Sequence, residues 1–110
     1  MHSTELLKGT LQTIILKLLQ DNGKMYGYEI TQKVKNTSDQ SIILTEGALY
    51  PALHKMEAEG LLATEKVKLG KRVRKYYTLT ETGNSLVTQK VEEFSAFIKT
   101  MSTVLQLSPS

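Results

Sequence analysis

The stretch TEGALYPALHKMEAEGLL at residues 45–62, with KRVRKYYTLTETG at 71–83, reads as a helix with one bare face followed by a positively charged β-hairpin. On a helical wheel Leu49, Ala52, Leu53 and Met56 share one side, while Gly47, Pro51, His54 and Ala58 fall opposite. The helix therefore has a core face and a face of little bulk, and a low-profile face is what entry into a DNA groove requires. Tyr50 and Lys55 flank that strip, within sideways reach of phosphates or bases. Thr45 is the expected N-cap, leaving the positive helix end free to meet an anion. Pro51 lies about a turn and a half in and removes one backbone donor, so a tight or irregular helix start is expected. Gly60 is the expected terminator.

Around a turn at Gly70, the residues Leu61, Ala63, Val67, Leu69, Val73, Tyr77 and Leu79 alternate with more polar neighbours, the period-two pattern of two half-buried strands. Six of the chain's 14 basic residues fall in this piece: Lys66, Lys68, Lys71, Arg72, Arg74 and Lys75, against one acid, Glu65. Solubility alone asks only for mixed charge. A helix in the major groove beside a basic hairpin on the adjacent backbone divides base reading from phosphate anchoring, which accounts for the clustering.

The flanking segments supply scaffold. Leu11, Ile14, Ile15, Leu18 and Leu19 recur at helical spacing, predicting an amphipathic first helix that stops near Gly23. A second helix is expected from about Tyr26–Tyr28, with Ile30 and Val34 inward and Lys33 and Lys35 outward, ending before the polar loop 37–41. Residues 42–44 are too short for a helix and are read as a small strand leading into the 45–59 helix. After an N-cap at Thr80, apolar residues recur at Val87, Val91, Phe94, Ile98, Met101 and Leu105, a heptad seam widened by Phe97 and Val104. A helix of this length, about 35 to 40 Å, exceeds what so small a domain can cover. The first two turns, around Leu86 and Val87, are expected to pack on their own domain and the helix beyond Phe94 on a second copy of the chain, with Val87, Val91, Phe94, Ile98, Met101 and Leu105 as the expected dimer interface. The fold class is thus mainly α with a small β-hairpin: a winged helix-turn-helix over 1–82, continued by a dimerisation helix and short tail over 83–110.

At 110 residues and 40% hydrophobic content, the chain forms one domain with a modest core and no room for a large enclosed active site. Net charge is only +3 and the pI about 9.1, so the clustering of charge, not its sum, points to nucleic acid. The absence of cysteine excludes disulfides, thiolate metal sites and cysteine nucleophiles. The two histidines, His2 and His54, sit in unrelated contexts, and no cofactor is expected. The start MHSTELLKGT has no basic segment followed by an apolar run, and no stretch approaches the roughly 18 apolar residues of a membrane span, so a cytoplasmic protein without membrane contact is expected.

Four segments, LKGTLQTIILKLL (7–19), YGYEI (26–30), EGALYPALHKMEAEGLL (46–62) and GKRVRKYYTLTETG (70–83), make the sequence resemble the PadR family of bacterial transcriptional regulators. YGYEI alone is weak; EGALYPAL followed by RKYYTLT at this distance is specific. The resemblance implies a winged-helix repressor that dimerises through its C-terminal helix and binds an inverted-repeat operator in double-stranded DNA. With one helix after Thr80, the chain resembles the short branch of the family. By position, the implied DNA-facing set is Tyr26 and Gly27, then Thr45, Gly47, Tyr50, Pro51, His54 and Lys55, then Lys71, Arg72 and Arg74 in the wing. Alternatives stay open for several of these: Tyr26 as a staple to the core, Tyr50 as partly buried. Of Tyr76 and Tyr77, the latter shares the inward register with Leu79. Some members of the family stack flat aromatic compounds on tryptophan between subunits. This chain has no Trp, and Phe94, Phe97 and Met101 are the candidate lining for a small aromatic effector, or plain interface.

Two other functions compete. A winged-helix protein-interaction module would offer its wing to an acidic protein surface and lack the steep salt dependence of phosphate binding. A nuclease needs clustered carboxylates for metal, whereas Glu57 and Glu59 point to different sides of one helix and Glu92 and Glu93 are adjacent on another, so no enzyme is expected.

Overall fold

Gly23 and Gly60 punctuate the helical part of the chain. In the computed structural model, which describes residues 4–107 and so leaves His2 outside, a short α1 (Thr4–Lys8) precedes α2 (Leu11–Asn22), and Gly23 closes α2 at φ +79° with its N–H on the Leu19 carbonyl. Next come β1 (Met25–Tyr26), α3 (Gly27–Thr37) and α4 (Glu46–Ala58), then β2 (Leu62–Leu69), β3 (Arg72–Leu79) and α5 (Glu81–Val104). Helix α4 ends at Gly60, φ +78°. There the Gly60 N–H meets the Glu57 carbonyl, and the Leu61 N–H reaches back to that of Met56 at 2.9 Å, the paired bonds of a Schellman stop.

The core is one cluster drawn from every layer: Leu11, Ile15, Leu16 and Leu19 of α2, Ile30 and Val34 of α3, Leu49, Leu53 and Met56 of α4, with Leu62, Tyr77 and Val87 closing it. Helix α2 buries a wider arc than its amphipathic stripe predicted. Leu16 is fully buried, while Ile14 and Leu18 are only partly so. Burial also pushes the Tyr77 phenol up from its ordinary value near 10.

The antiparallel sheet has the order β1-β3-β2 and departs from the sequence expectation in two ways. Residues 42–44 are not a strand. Leu44 sinks into the core, Ile42 packs partly against it with its N–H on the Ser38 hydroxyl, and Ile43 faces out, so the apolar triplet is a core-anchored loop. The third strand is instead β1, which pairs Met25 with Tyr77 and Tyr26 with Tyr76. The second departure is a one-residue shift of face along β2. Cross-strand pairs Leu62–Leu79 and Thr64–Tyr77 put the even residues of β2 inward, and Ala63 is exposed. Leu61 is buried because it belongs to the Schellman turn of α4, so counting the strand from it places the alternation on the wrong side.

Helix α5 runs 24 residues, about 36 Å, in a fold whose longest extent is 55 Å. Its start is bolted to the end of α4. The Thr80 hydroxyl caps Gly83 N–H and donates to the Gly60 carbonyl at 2.6 Å, and Thr80 N–H meets the Leu61 carbonyl. A Cβ on Gly83 would collide with that Leu61 carbonyl oxygen, so glycine permits the approach. The expected seam is corrected at its first member. Val87 is 1% exposed in its own domain and has no surface left for a partner, because the first turns of α5 pack against α2. From Val91 onward the stripe is open: Phe97, Ile98, Val104 and Leu105 are all at least half exposed, and Phe94 and Met101 are half-buried.

Candidate nucleic-acid interface

Helix α4 separates its two faces as its sequence periodicity demands. Leu49, Leu53 and Met56 are buried; Thr45, Gly47, Pro51, His54, Lys55 and Ala58 are exposed. The Thr45 hydroxyl caps the helix by accepting from Ala48 N–H at 3.2 Å, and the Thr45 carbonyl takes both Ala48 and Leu49, a tightened first turn. Pro51 lies inside the helix, which continues unbroken to Ala58. The missing donor at Pro51 would have served the carbonyl of Gly47, an exposed residue, and an exposed carbonyl can turn to water.

The hairpin of β2 and β3 turns through Gly70 at φ +64° and Lys71, a glycine-first two-residue turn. Lys71 and Arg72 are exposed at its tip. A groove of about 480 Å³ separates this wing from α3 and α4, lined by Tyr26, Gly27, Tyr50, His54, Leu69, Arg72, Val73, Arg74, Lys75 and Tyr77. Six residues singled out from sequence, Tyr26, Gly27, Tyr50, His54, Arg72 and Arg74, thus meet across one groove, although they come from four elements, β1, α3, α4 and β3. Thr45, Gly47, Pro51, Lys55 and Lys71 lie outside that lining, on the exposed α4 face and the wing tip.

Several side chains in the groove are already engaged. Tyr50 lies across Gly27, which is buried: a Cβ at Gly27 would run into the Tyr50 phenol oxygen and come within 2.8 Å of its Cζ. The glycine is there to let the ring lie down, and Tyr50 is correspondingly half-buried, its ring centroid 6.3 Å from that of His54. Arg74 lays its guanidinium over Tyr26, Cζ 3.9 Å from the ring centroid. A hydrogen bond with Tyr76 raises its pKa against the opposing effect of burial. Lys75 pairs with Glu57 at 3.6 Å and Lys24 with Glu65 at 3.4 Å.

The sequence reading passed over three contributors. Glu57 accepts from the Thr64 hydroxyl at 3.2 Å as well as pairing with Lys75, which ties α4 to both wing strands. No local pattern marks such a link. Leu69 and Val73 fit the pattern of half-buried strand positions but are 41% and 59% exposed, because the wing tip extends past any layer that could cover it. Among the described residues no group of three or more His, Cys, Asp or Glu is placed to hold a metal ion, and no helix is long and apolar enough to cross a membrane.

The family model described as "Transcriptional regulator PadR-like family" matches residues 15–89, which takes in α3, α4 and the whole wing. A transcriptional regulator from Mycobacterium tuberculosis is 32% identical over 85 residues, spanning 77% of this chain and 76% of that protein. Among solved structures, a transcriptional regulator from Clostridium thermocellum aligns with a TM-score of 0.83 at 30% identity, covering 94% of this chain and 97% of that one. A PadR family transcription regulator from Clostridium difficile aligns at 0.71 and 31% identity, with 88% and 99% covered. With the motif-bearing helices and wing inside the matched region, this chain belongs to the PadR-like family of transcriptional regulators.

Proposed function

We propose that this regulator is a repressor that binds an inverted-repeat operator as a homodimer in the cytoplasm, with helix α4 in the major groove and the wing, residues 69–75, on the adjacent backbone or minor groove. One observation carries the reading: His54 on the bare face of α4 stands across an open groove from Arg72 of the wing, with Gly47, Pro51 and Lys55 exposed on the same helix and Lys71 exposed at the wing tip. His54 and Lys55 are the base-reading candidates, Thr45 and the first turn of α4 an anion seat, and Lys71 and Arg72 the phosphate anchors. Gly27 serves by admitting Tyr50. The family is one of regulators, not enzymes, and repression follows from occupancy, since a bound dimer excludes other proteins from the site.

The dimer is proposed on α5, where Val91, Phe94, Ile98, Met101 and Leu105 supply the seam. Phe94 and Phe97, ring centroids 6.5 Å apart, also face a groove of about 680 Å³ that includes Leu6, Leu7 and Ile42. A flat aromatic effector, if the chain takes one, would stack there; Met101 is not part of that lining.

Anisotropy titrations of duplex DNA over a salt series test the reading. The logarithm of affinity should fall linearly with that of salt, and changing Lys71 and Arg72 to Ala should flatten the slope by about 0.9 for each phosphate no longer neutralised. A chain that ignores duplex at low salt would sink the proposal and leave an acidic protein surface as the partner of the wing.

A further inference from the structure

The wing is longer than the sheet that supports it. Strand β1 pairs only with Tyr76 and Tyr77, whereas β2 and β3 remain paired out to Leu69 and Arg72. Beyond Tyr76 the hairpin projects as a two-stranded ribbon, a form with little stability of its own and much freedom to twist. Two links reach back from it. On the inner face Lys75 pairs with Glu57 of α4. On the outer face Arg74, the first side chain of that face past the end of the β1 ladder, rests over Tyr26 with its Cζ 3.9 Å from the ring centroid.

Tyr26 is well placed to be an anchor. Its N–H is held by the Glu29 carboxylate at 3.1 Å, which fixes the start of α3, and the rings of Tyr26 and Tyr76 meet edge to face with centroids 5.5 Å apart. Lys24 sits 5.3 Å from the centroid of Tyr76 and pairs with Glu65 of β2, so the stack continues across the outer face of all three strands. Arg74 is half-buried as a residue, its guanidinium resting on one aromatic face, while Arg72, two residues further along the same face, is exposed. A cation held over an aromatic face in this way is restrained before any ligand arrives.

We propose that Arg74 and Tyr26 are positioning residues: their stack sets the angle of the wing to the recognition helix, and Arg74 is not one of the cations that meets a phosphate. The first half concerns the free protein; only the second rests on the DNA-binding reading above.

Hydrogen exchange of wing amides 67–73 in the DNA-free, full-length protein tests the first half. Changing Tyr26 to Leu should speed their exchange about two- to fivefold, the equivalent of one exposed cation–π interaction, while Tyr26→Phe, which keeps the ring, should leave it unchanged. Should Tyr26→Leu fail to fold, Arg74→Met removes the same interaction from the exposed side and should give the same acceleration. Wing exchange that stays at the wild-type rate in the folded variant overturns the proposal. For the second half, Arg74→Met is titrated against a mixed-sequence duplex of about 30 base pairs, three helical turns. Affinity should fall about two- to fivefold with the salt slope unchanged. A slope reduced by about 0.9 would mean that Arg74 itself neutralises a phosphate, and overturns it. If the wild-type chain binds no duplex, the DNA-binding reading and the second half fail together, and the exchange experiment still decides the first.

Discussion

Changing Ile98 to Ala strips the outer part of α5 of a side chain that stands 50% exposed in the single chain. Fully burying an Ile is worth about 1.5 to 3 kcal/mol, so the half still open to water holds about 0.8 to 1.5 kcal/mol in reserve for a partner. A twofold interface counts the change twice, which brings the loss on association to about 1.5 to 3 kcal/mol, or roughly 10- to 150-fold in dimer dissociation constant. The isolated protomer should scarcely notice, since alanine is the better helix former at an exposed site. Val87→Ala is the matched control: at 1% exposure it hollows the protomer's own core and should cost about 1 to 3 kcal/mol of folding stability. Sedimentation equilibrium across a concentration series, with a melting curve for each variant, separates the two: the first variant shifts the monomer–dimer midpoint and the second lowers the melting temperature. Superimposable association curves for Ile98→Ala and the wild type would refute the reasoning, because an exposed seam that contributes nothing to assembly is not a seam.

Three further outcomes are expected. Gly83→Ala should destabilise the fold by about 1 to 3 kcal/mol in chemical denaturation, because its Cβ meets the Leu61 backbone, which cannot swing aside as a side chain can; wild-type stability would show that the α4–α5 joint is loose. On α4, Leu53→Ala should cost about 2 to 5 kcal/mol of stability, whereas His54→Ala and Lys55→Ala should cost almost none and instead lower affinity by about 1 to 3 kcal/mol at one position of each half-site; profiles across single-base DNA variants check this, and unchanged profiles would move base reading elsewhere. Burial raises the folded-state pKa of Tyr77 above its unfolded value, so its contribution is full below about pH 10 and lost as pH rises through the folded value; alkaline denaturation should therefore be steeper for the wild type than for Tyr77→Phe, and equal slopes would contradict it.

The sequence disclosed the long, periodic elements and left the short ones hidden. Helix α4 could be drawn face by face, because Leu49, Leu53 and Met56 repeat at the helical period and Thr45 and Gly60 mark its ends with local chemistry. Strand β1 is two residues long, too few to show any alternation, and exists because β3 offers Tyr76 and Tyr77 as partners far along the chain. The triplet 42–44 failed in the opposite sense: it is apolar enough for a strand, but Leu44 is claimed by the core before any ladder can form. The slip of face at Leu61 has the same origin, since a buried residue can belong to a helix stop as well as to a strand. For the candidate site, the cluster of basic residues was legible, but their assignments were not. Arg74 on Tyr26 and Lys75 on Glu57 are engagements between distant segments, and only the folded geometry tells a braced cation from an exposed one.

Selection of bound sequences from a random duplex library with the purified full-length chain tests the central claim most directly. The account predicts enrichment of an inverted repeat whose half-site centres lie about one helical turn, roughly 10 to 10.5 base pairs, or a multiple of it, apart. Recovery of no consensus, or of a single asymmetric site, would contradict it.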